Sequence, residues 1–153
     1  MWTFKGEEFT SDDINKAFGF VYLITDTDSG RKYIGQKHFW SKKTVQKKGI
    51  KKKVKCESDW KKYASSSEEL KQQDPCKLKK EILFLCVSKG QMNYIETLLQ
   101  MELRVLEDQK TWLNGIVNIR CHHTHHKMDK IIDRDSNKIN ELYKLHRTSI
   151  AEE

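Results

Sequence analysis

No stretch of the 153-residue chain approaches the roughly 18 consecutive apolar residues that a membrane-spanning helix needs, and its start has no signal-peptide pattern. The four cysteines, Cys56, Cys76, Cys86 and Cys121, form no CxxC pair; without a secretory signal they read as reduced thiols, not as a disulfide framework. No internal repeat is visible, and proline occurs once, at Pro75. These absences argue against membrane-spanning, disulfide-stapled and repeat architectures. The expectation is a soluble protein of one modest domain, working in the cytoplasm.

Positive charge is abundant. Lysine and arginine number 29 against 22 acids, a formal charge of +7. Much of the excess is local, because Lys42 to Lys55 holds eight lysines and no acid. Like charges at that density repel one another unless an anion lies between them, so the chain seeks a polyanion. With membrane disfavoured, that polyanion is nucleic acid, and Lys42, Lys47, Lys48, Lys51, Lys52, Lys53 and Lys55 are candidate phosphate contacts. The tract has no sustained periodicity and reads as a loop or a ragged ribbon. Cys121-His122-His123-Thr124-His125-His126 invites a zinc reading, but adjacent residues rarely close a tetrahedron; a basic segment touching phosphate is preferred.

Two runs rich in β-branched and aromatic residues, Gly19–Thr25 and Lys32–Trp40, flank the turn cluster Asp26-Thr27-Asp28-Ser29-Gly30, which predicts a β-hairpin. Tyr22 and Tyr33 lie an odd number of residues apart, which places both on one face if the loop holds an even number of residues. Arg31 and Lys37 share the parity of Tyr33. Gly35 lies between Tyr33 and Lys37, and a strand glycine often marks a close approach of backbone or ligand. Such a face is aromatic, basic and open, and it suits a phosphodiester. On residue types alone, two half-buried strand tyrosines of an ordinary hairpin account for it as well.

The remaining elements follow from pattern. Residues 1–18 read as an extension that packs a helical turn, started by Thr10-Ser11-Asp12-Asp13, against the hairpin. Trp60 and Tyr63 anchor a loop or stack on a base. A short helix runs from Ser67 to Gln72 and ends before Pro75. Lys79–Ser88 is a continuous apolar run, hence a buried central strand that pairs with the hairpin. Gly90–Asp108 reads as a helix with Met92, Ile95, Leu99, Leu103 and Leu106 at helical spacing, and with Asn93, Glu96 and Gln100 on a polar face. Trp112–Arg120 suggests a short edge strand. A helix from Lys127 to Leu145, interrupted at Asp133–Asn137, closes the chain. The fold class is α+β, a small three-stranded antiparallel sheet flanked by helices.

Val21-Tyr22-Leu23, a spacer, and Tyr33-Ile34-Gly35 resemble the signature of the GIY-YIG nuclease family, with Val and Leu around the first tyrosine where the namesake has Gly and Ile. The resemblance implies a nuclease domain over residues 19–120, an extension over 1–18 and a basic, helical tail over 121–153. It implies Mg²⁺ or Mn²⁺ held by one helix glutamate. Glu96 matches by its distance from the third strand, and Glu102 by its distance to Asn114. Tyr33 would accept the proton of the attacking water, with Tyr22 and Gly35 beside it. Lys37 and Lys43 would favour the phenolate, Lys43 standing roughly ten positions past Tyr33 where the family carries an arginine or lysine. An asparagine after the helix supports the site in many members; Asn114 is the candidate, with Asn118 behind it. The implied activity is hydrolysis of double-stranded DNA by a short, phage homing-type endonuclease. A nucleic-acid-binding module that has lost catalysis is the alternative, kept by the missing arginine and by Gln36 beside Gly35.

Overall fold

The carboxylate of Asp26 folds the chain back on itself by accepting from the Asp28 amide (3.0 Å) and the Ser29 hydroxyl (2.6 Å), while Gly30 takes a positive φ of 73° that a side chain would resist. This turn joins β3 (Gly19–Asp26) to β4 (Lys32–His38) as an antiparallel pair. In this computed structural model, which describes residues 1–119, 121 and 132–151, β7 (Leu78–Cys86) lies antiparallel on the other side of β3. The three strands expected from the sequence thus lie side by side as β7, β3 and β4, with β3 between the other two. Residues Gly19 to Ile24 are buried throughout, as a strand covered on both faces requires.

The sheet grows beyond that centre through residues far away in sequence. β1 (Trp2–Phe4) runs parallel to β7, and β2 (Glu7–Glu8) adds to β1. The first eighteen residues therefore supply two strands as well as a single 3₁₀ turn at Ser11–Asp13. Trp2 is buried, and its indole N–H donates to the Trp60 carbonyl at 2.8 Å. Trp60, itself buried, is a loop anchor. β8 (Asp133–Arg134) pairs with Phe84 and Leu85 of β7.

Two cores flank the sheet. Val21, Leu23, Ile34 and Phe84 pack on one face against α2 (Lys89–Glu102), through Met92, Ile95 and Leu99, and against Ile139 and Leu142 of α3 (Ser136–Ala151). The other face carries Phe20, Tyr22 and Ile24 with Trp2, Phe39, Trp60 and Leu70, the last from the short helix α1 (Glu68–Gln72). Helix α2 stops earlier than the apolar spacing predicts. Arg104 takes a left-handed φ of 51°, its amide donates to Met101, and the Val105 amide reaches Gln100, a Schellman ending built without glycine. Leu106 is exposed beyond it. The interruption expected at Asp133–Asn137 is β8 followed by the start of α3; residues 127–131 of the expected tail helix, and His122–His126, lie outside the described residues.

The lysine tract is a two-stranded ribbon of β5 (Trp40–Lys47) and β6 (Ile50–Glu57), turned at Lys48 and Gly49 with φ of 51° and 77°. Every residue from Lys42 to Lys55 is exposed.

Strand β4 forms one edge of the sheet. Its outward backbone groups are met by the segment after α2: Lys32 exchanges bonds with Thr111 and Leu113, a single parallel bridge where a longer edge strand was expected. One step on, the buried Asn114 side chain takes over, accepting from the Ile34 amide at 3.0 Å and donating to the Ile34 carbonyl at 2.8 Å. Gln100 donates to the same carbonyl at 3.1 Å. Asn114→Ala leaves the Ile34 amide buried without a partner while Gln100 still serves the carbonyl. The expected loss is about 2 kcal/mol in urea unfolding; a loss within about 0.5 kcal/mol, the size of an ordinary surface substitution, would show that the clamp is dispensable.

Candidate functional site

A cavity of about 500 Å³ opens at the β4 edge, lined by Tyr22, Tyr33, Gly35, Gln36, Ser66, Lys89, Asn93, Glu96, Gln100 and Asn118 among others. The strand register explains how it forms. Tyr22 pairs with Gly35 and Ile24 with Tyr33, so the two tyrosines sit diagonally on one face with ring centroids 6.3 Å apart and planes 28° from parallel. A Cβ on Gly35 would stand 2.4 Å from the Tyr22 hydroxyl and 2.8 Å from Tyr33 Cε1. Only glycine lets both rings lie there. Glu96 comes from α2, on the opposite face of the sheet, and reaches the same space because, among the described residues, no strand lies beyond β4.

Ser66 and Ser67, not singled out for the site from sequence, line the cavity on the tyrosine side, and Ser65 precedes them. Ser65 is buried at a φ of 108°, a strained setting for a residue with a Cβ, and its hydroxyl accepts from the Ser67 amide at 3.0 Å. Ser66 shares a 2.7 Å hydrogen bond with the Tyr33 hydroxyl. From sequence the run reads only as a helix cap, because an unusual backbone angle leaves no mark on residue type. Tyr63 stands edge-on to Tyr22, centroids 6.2 Å apart.

Burial pushes the Tyr22 phenol well above its usual range, with Tyr63 and Tyr33 adding to the rise. Burial raises Tyr33 as well; the Ser66 hydrogen bond opposes it and the nearby Glu96 carboxylate adds to it. The phenolate expected from neighbouring lysines has no such support here. Lys37 pairs with Asp59 at 2.6 Å and lies 4.0 Å over the Tyr63 ring, and Lys43 sits on the exposed ribbon opposite Val54. Neither lines the cavity. Arg31, expected on the tyrosine face, pairs with Glu69 at 2.8 Å. Among the described residues, the cation on the cavity wall is Lys89.

Glu96 is pushed up to about 7 by burial, against hydrogen bonds from Gln36 and Gln100. Gln100 Nε2 donates to Glu96 Oε1 at 3.1 Å while also holding Ile34. Gln36 Nε2 donates to Asn93 at 2.7 Å, which leaves the buried Gln36 Oε1 with no hydrogen-bond partner. Glu102 is elsewhere, accepting from the Tyr143 hydroxyl. Asn114 does not line the cavity and acts on it through Ile34, whereas Asn118 lines it and accepts from Thr97 at 3.2 Å through its carbonyl. Lys42, Lys47, Lys48, Lys51, Lys52, Lys53 and Lys55 all belong to the ribbon or its turn, away from the cavity.

One carboxylate and one orphaned amide oxygen in a polar cavity suit a hard divalent cation that keeps most of its waters, such as Mg²⁺. They do not suit zinc, which takes a closed set of nitrogen and sulfur ligands. Among the described residues no group of three or more histidine, cysteine or acidic side chains gathers as a metal cage.

Residues 2–117 match the family model described as "Putative endonuclease segE, GIY-YIG domain". No curated protein and no solved structure matches the chain. The matched span takes in the tyrosine hairpin, the ribbon, β7 and α2, so the chain belongs to the GIY-YIG family of phosphodiester-hydrolysing endonucleases.

Proposed function

We propose that this nuclease is a divalent-cation-dependent, homing-type endonuclease that cuts double-stranded DNA, with Glu96 as the metal ligand and Tyr33 and Tyr22 as the groups that handle water and phosphate. The observation that carries the reading is the shared cavity, in which two tyrosines, Tyr33 bonded to Ser66, face a buried carboxylate with a raised pKa across a backbone cleared by Gly35. The duplex is favoured by the ribbon, whose lysines carry no acid among them. The homing-type reading leans on the segE name of the matching family and on the chain's short, basic character.

Glu96 and the orphaned Gln36 amide oxygen would hold a divalent cation, which when bound would supply Lewis-acid charge for phosphodiester hydrolysis. The rest falls to the chain. Tyr33, fixed through Ser66, presents its hydroxyl oxygen to the attacking water and orients it. Tyr22, the more deeply buried phenol, donates to the phosphate. Lys89 faces the negative charge that grows on the phosphoryl oxygens, a preorganised electrostatic contribution. Gln100 holds the Glu96 carboxylate and the β4 backbone in one geometry, which keeps carboxylate and tyrosines in register.

Tyr33→Phe removes only the hydroxyl and is expected to lower single-turnover cleavage of supercoiled plasmid by about 10²–10⁴-fold, with duplex affinity unchanged. A fall of less than threefold would remove Tyr33 from the reaction.

Glu96→Gln tests the carboxylate in two ways. Cleavage should vanish while duplex binding in chelator stays within twofold; plasmid cut at the normal rate would disprove the metal assignment. The second readout is stability without metal. Folding raises the Glu96 pKa from 4.5 to about 7, so the native state holds the proton more tightly than the unfolded chain, and stability from this group is present at low pH and lost as pH rises through 7. Glu96→Gln should therefore be more stable than the parent at pH 8 and should lose the parent's decline between pH 4.5 and 7. Identical pH profiles in urea unfolding would mean that the carboxylate is not buried.

A further inference from the structure

Cross-strand register sorts the ribbon into two unlike faces. Lys42 with Lys55, Thr44 with Lys53 and Gln46 with Lys51 share one face; Lys43 with Val54, Val45 with Lys52 and Lys47 with Ile50 share the other. Between Lys42 and Lys55 the uncharged hydrogen-bonding side chains are Thr44 and Gln46, and they fall on the same face, two residues apart. That face is wholly polar and is framed by four lysines. The opposite face exposes Val45, Ile50 and Val54.

Size and charge both indicate the occupant. Eight-residue strands extend about 26 Å. The major groove of B-DNA, about 12 Å wide, admits a two-stranded ribbon, and phosphates line both its walls. Residues two apart on a strand stand about 6.6 Å from each other, close to two base steps of about 3.4 Å. Gln pairs with adenine through its N6 and N7 edge, and Thr with several bases or the thymine methyl. A two-stranded ribbon alone is marginal in water, and the directly opposed Lys42 and Lys55 weaken it further. A polyanion relieves that repulsion.

We propose that the β5–β6 ribbon enters the major groove of duplex DNA with the Lys42, Thr44, Gln46, Lys51, Lys53 and Lys55 face toward the bases, and that Thr44 and Gln46 read sequence while the lysines hold the phosphates. This rests on the double-stranded DNA reading above. It adds a source of cleavage-site choice outside the catalytic cavity.

The test uses the full chain in chelator with a randomised pool of duplexes, so that binding is read independently of cutting. Lys42→Ala with Lys53→Ala should weaken binding to all duplexes alike and flatten the dependence of log affinity on log salt by about 2. Thr44→Ala with Gln46→Ala should leave affinity for the unselected pool within twofold and cut the preference for the enriched sequence at least fivefold, with 7-deazaadenine, which lacks a major-groove acceptor, weakening the parent. A pool from which the parent enriches nothing, an unchanged preference in the Thr44, Gln46 variant, or displacement by a minor-groove ligand with no effect of 7-deazaadenine would each overturn the proposal. Equal competition by double-stranded RNA, whose major groove is too narrow for a ribbon, would do the same. Loss of cleavage in Mg²⁺ with the arm-dependent preference intact would sink the catalytic reading alone and support this one.

Discussion

The clamp on Ile34 is the interaction on which the site depends. A sheet edge exposes unpaired amides and carbonyls, and a second strand at that position would wall off the space in front of β4. Here a side chain does the pairing instead: Asn114 meets both backbone groups of Ile34, and Gln100 adds a second donor to the carbonyl. The edge is satisfied yet remains open. Through that opening a carboxylate on one face of the sheet shares a cavity with two phenols on the other, and Gln100 belongs to both arrangements because it also bonds Glu96.

Features with a local cause were legible in the sequence. The hairpin turn follows from an Asp, Ser and Gly cluster, and the common face of Tyr22 and Tyr33 follows from parity with an even-numbered loop, which the Thr25–Lys32 pairing supplies. The polar stripe of Asn93, Glu96 and Gln100 on α2 was equally visible, since helical spacing fixes which side chains share a face. Non-local pairing was less accessible. Trp2 to Phe4 join the sheet beside Lys80 to Ile82, and nothing in those three residues names a partner so distant. The end of α2 depends on Arg104 in a conformation that normally calls for glycine, so apolar periodicity overran it.

The lysines show where counting along the chain fails. Lys43 lies the right number of residues past Tyr33, but the intervening chain leaves the sheet to build a ribbon, and number no longer corresponds to position. Lys37 has the right parity and points to the right face, yet Asp59 and the Tyr63 ring take its charge. The first case turns on where the backbone carries the cation, the second on the counter-charge that holds it.

The ribbon begins two residues after β4 ends, anchored by buried Phe39 and by the Trp40 indole donating to Ala17 at 3.1 Å. The strand that bears Tyr33 and Gly35 is therefore joined, through the bend at Phe39, to the arm that bears Thr44 and Gln46. Eleven residues at about 3.3 Å each allow at most about 36 Å between Tyr33 and Thr44, roughly one turn of duplex. Strand length thus works as a ruler: it sets how far from a grasped stretch of polymer the backbone can be broken, and adding a pair of residues at the joint would lengthen that stride without altering either end.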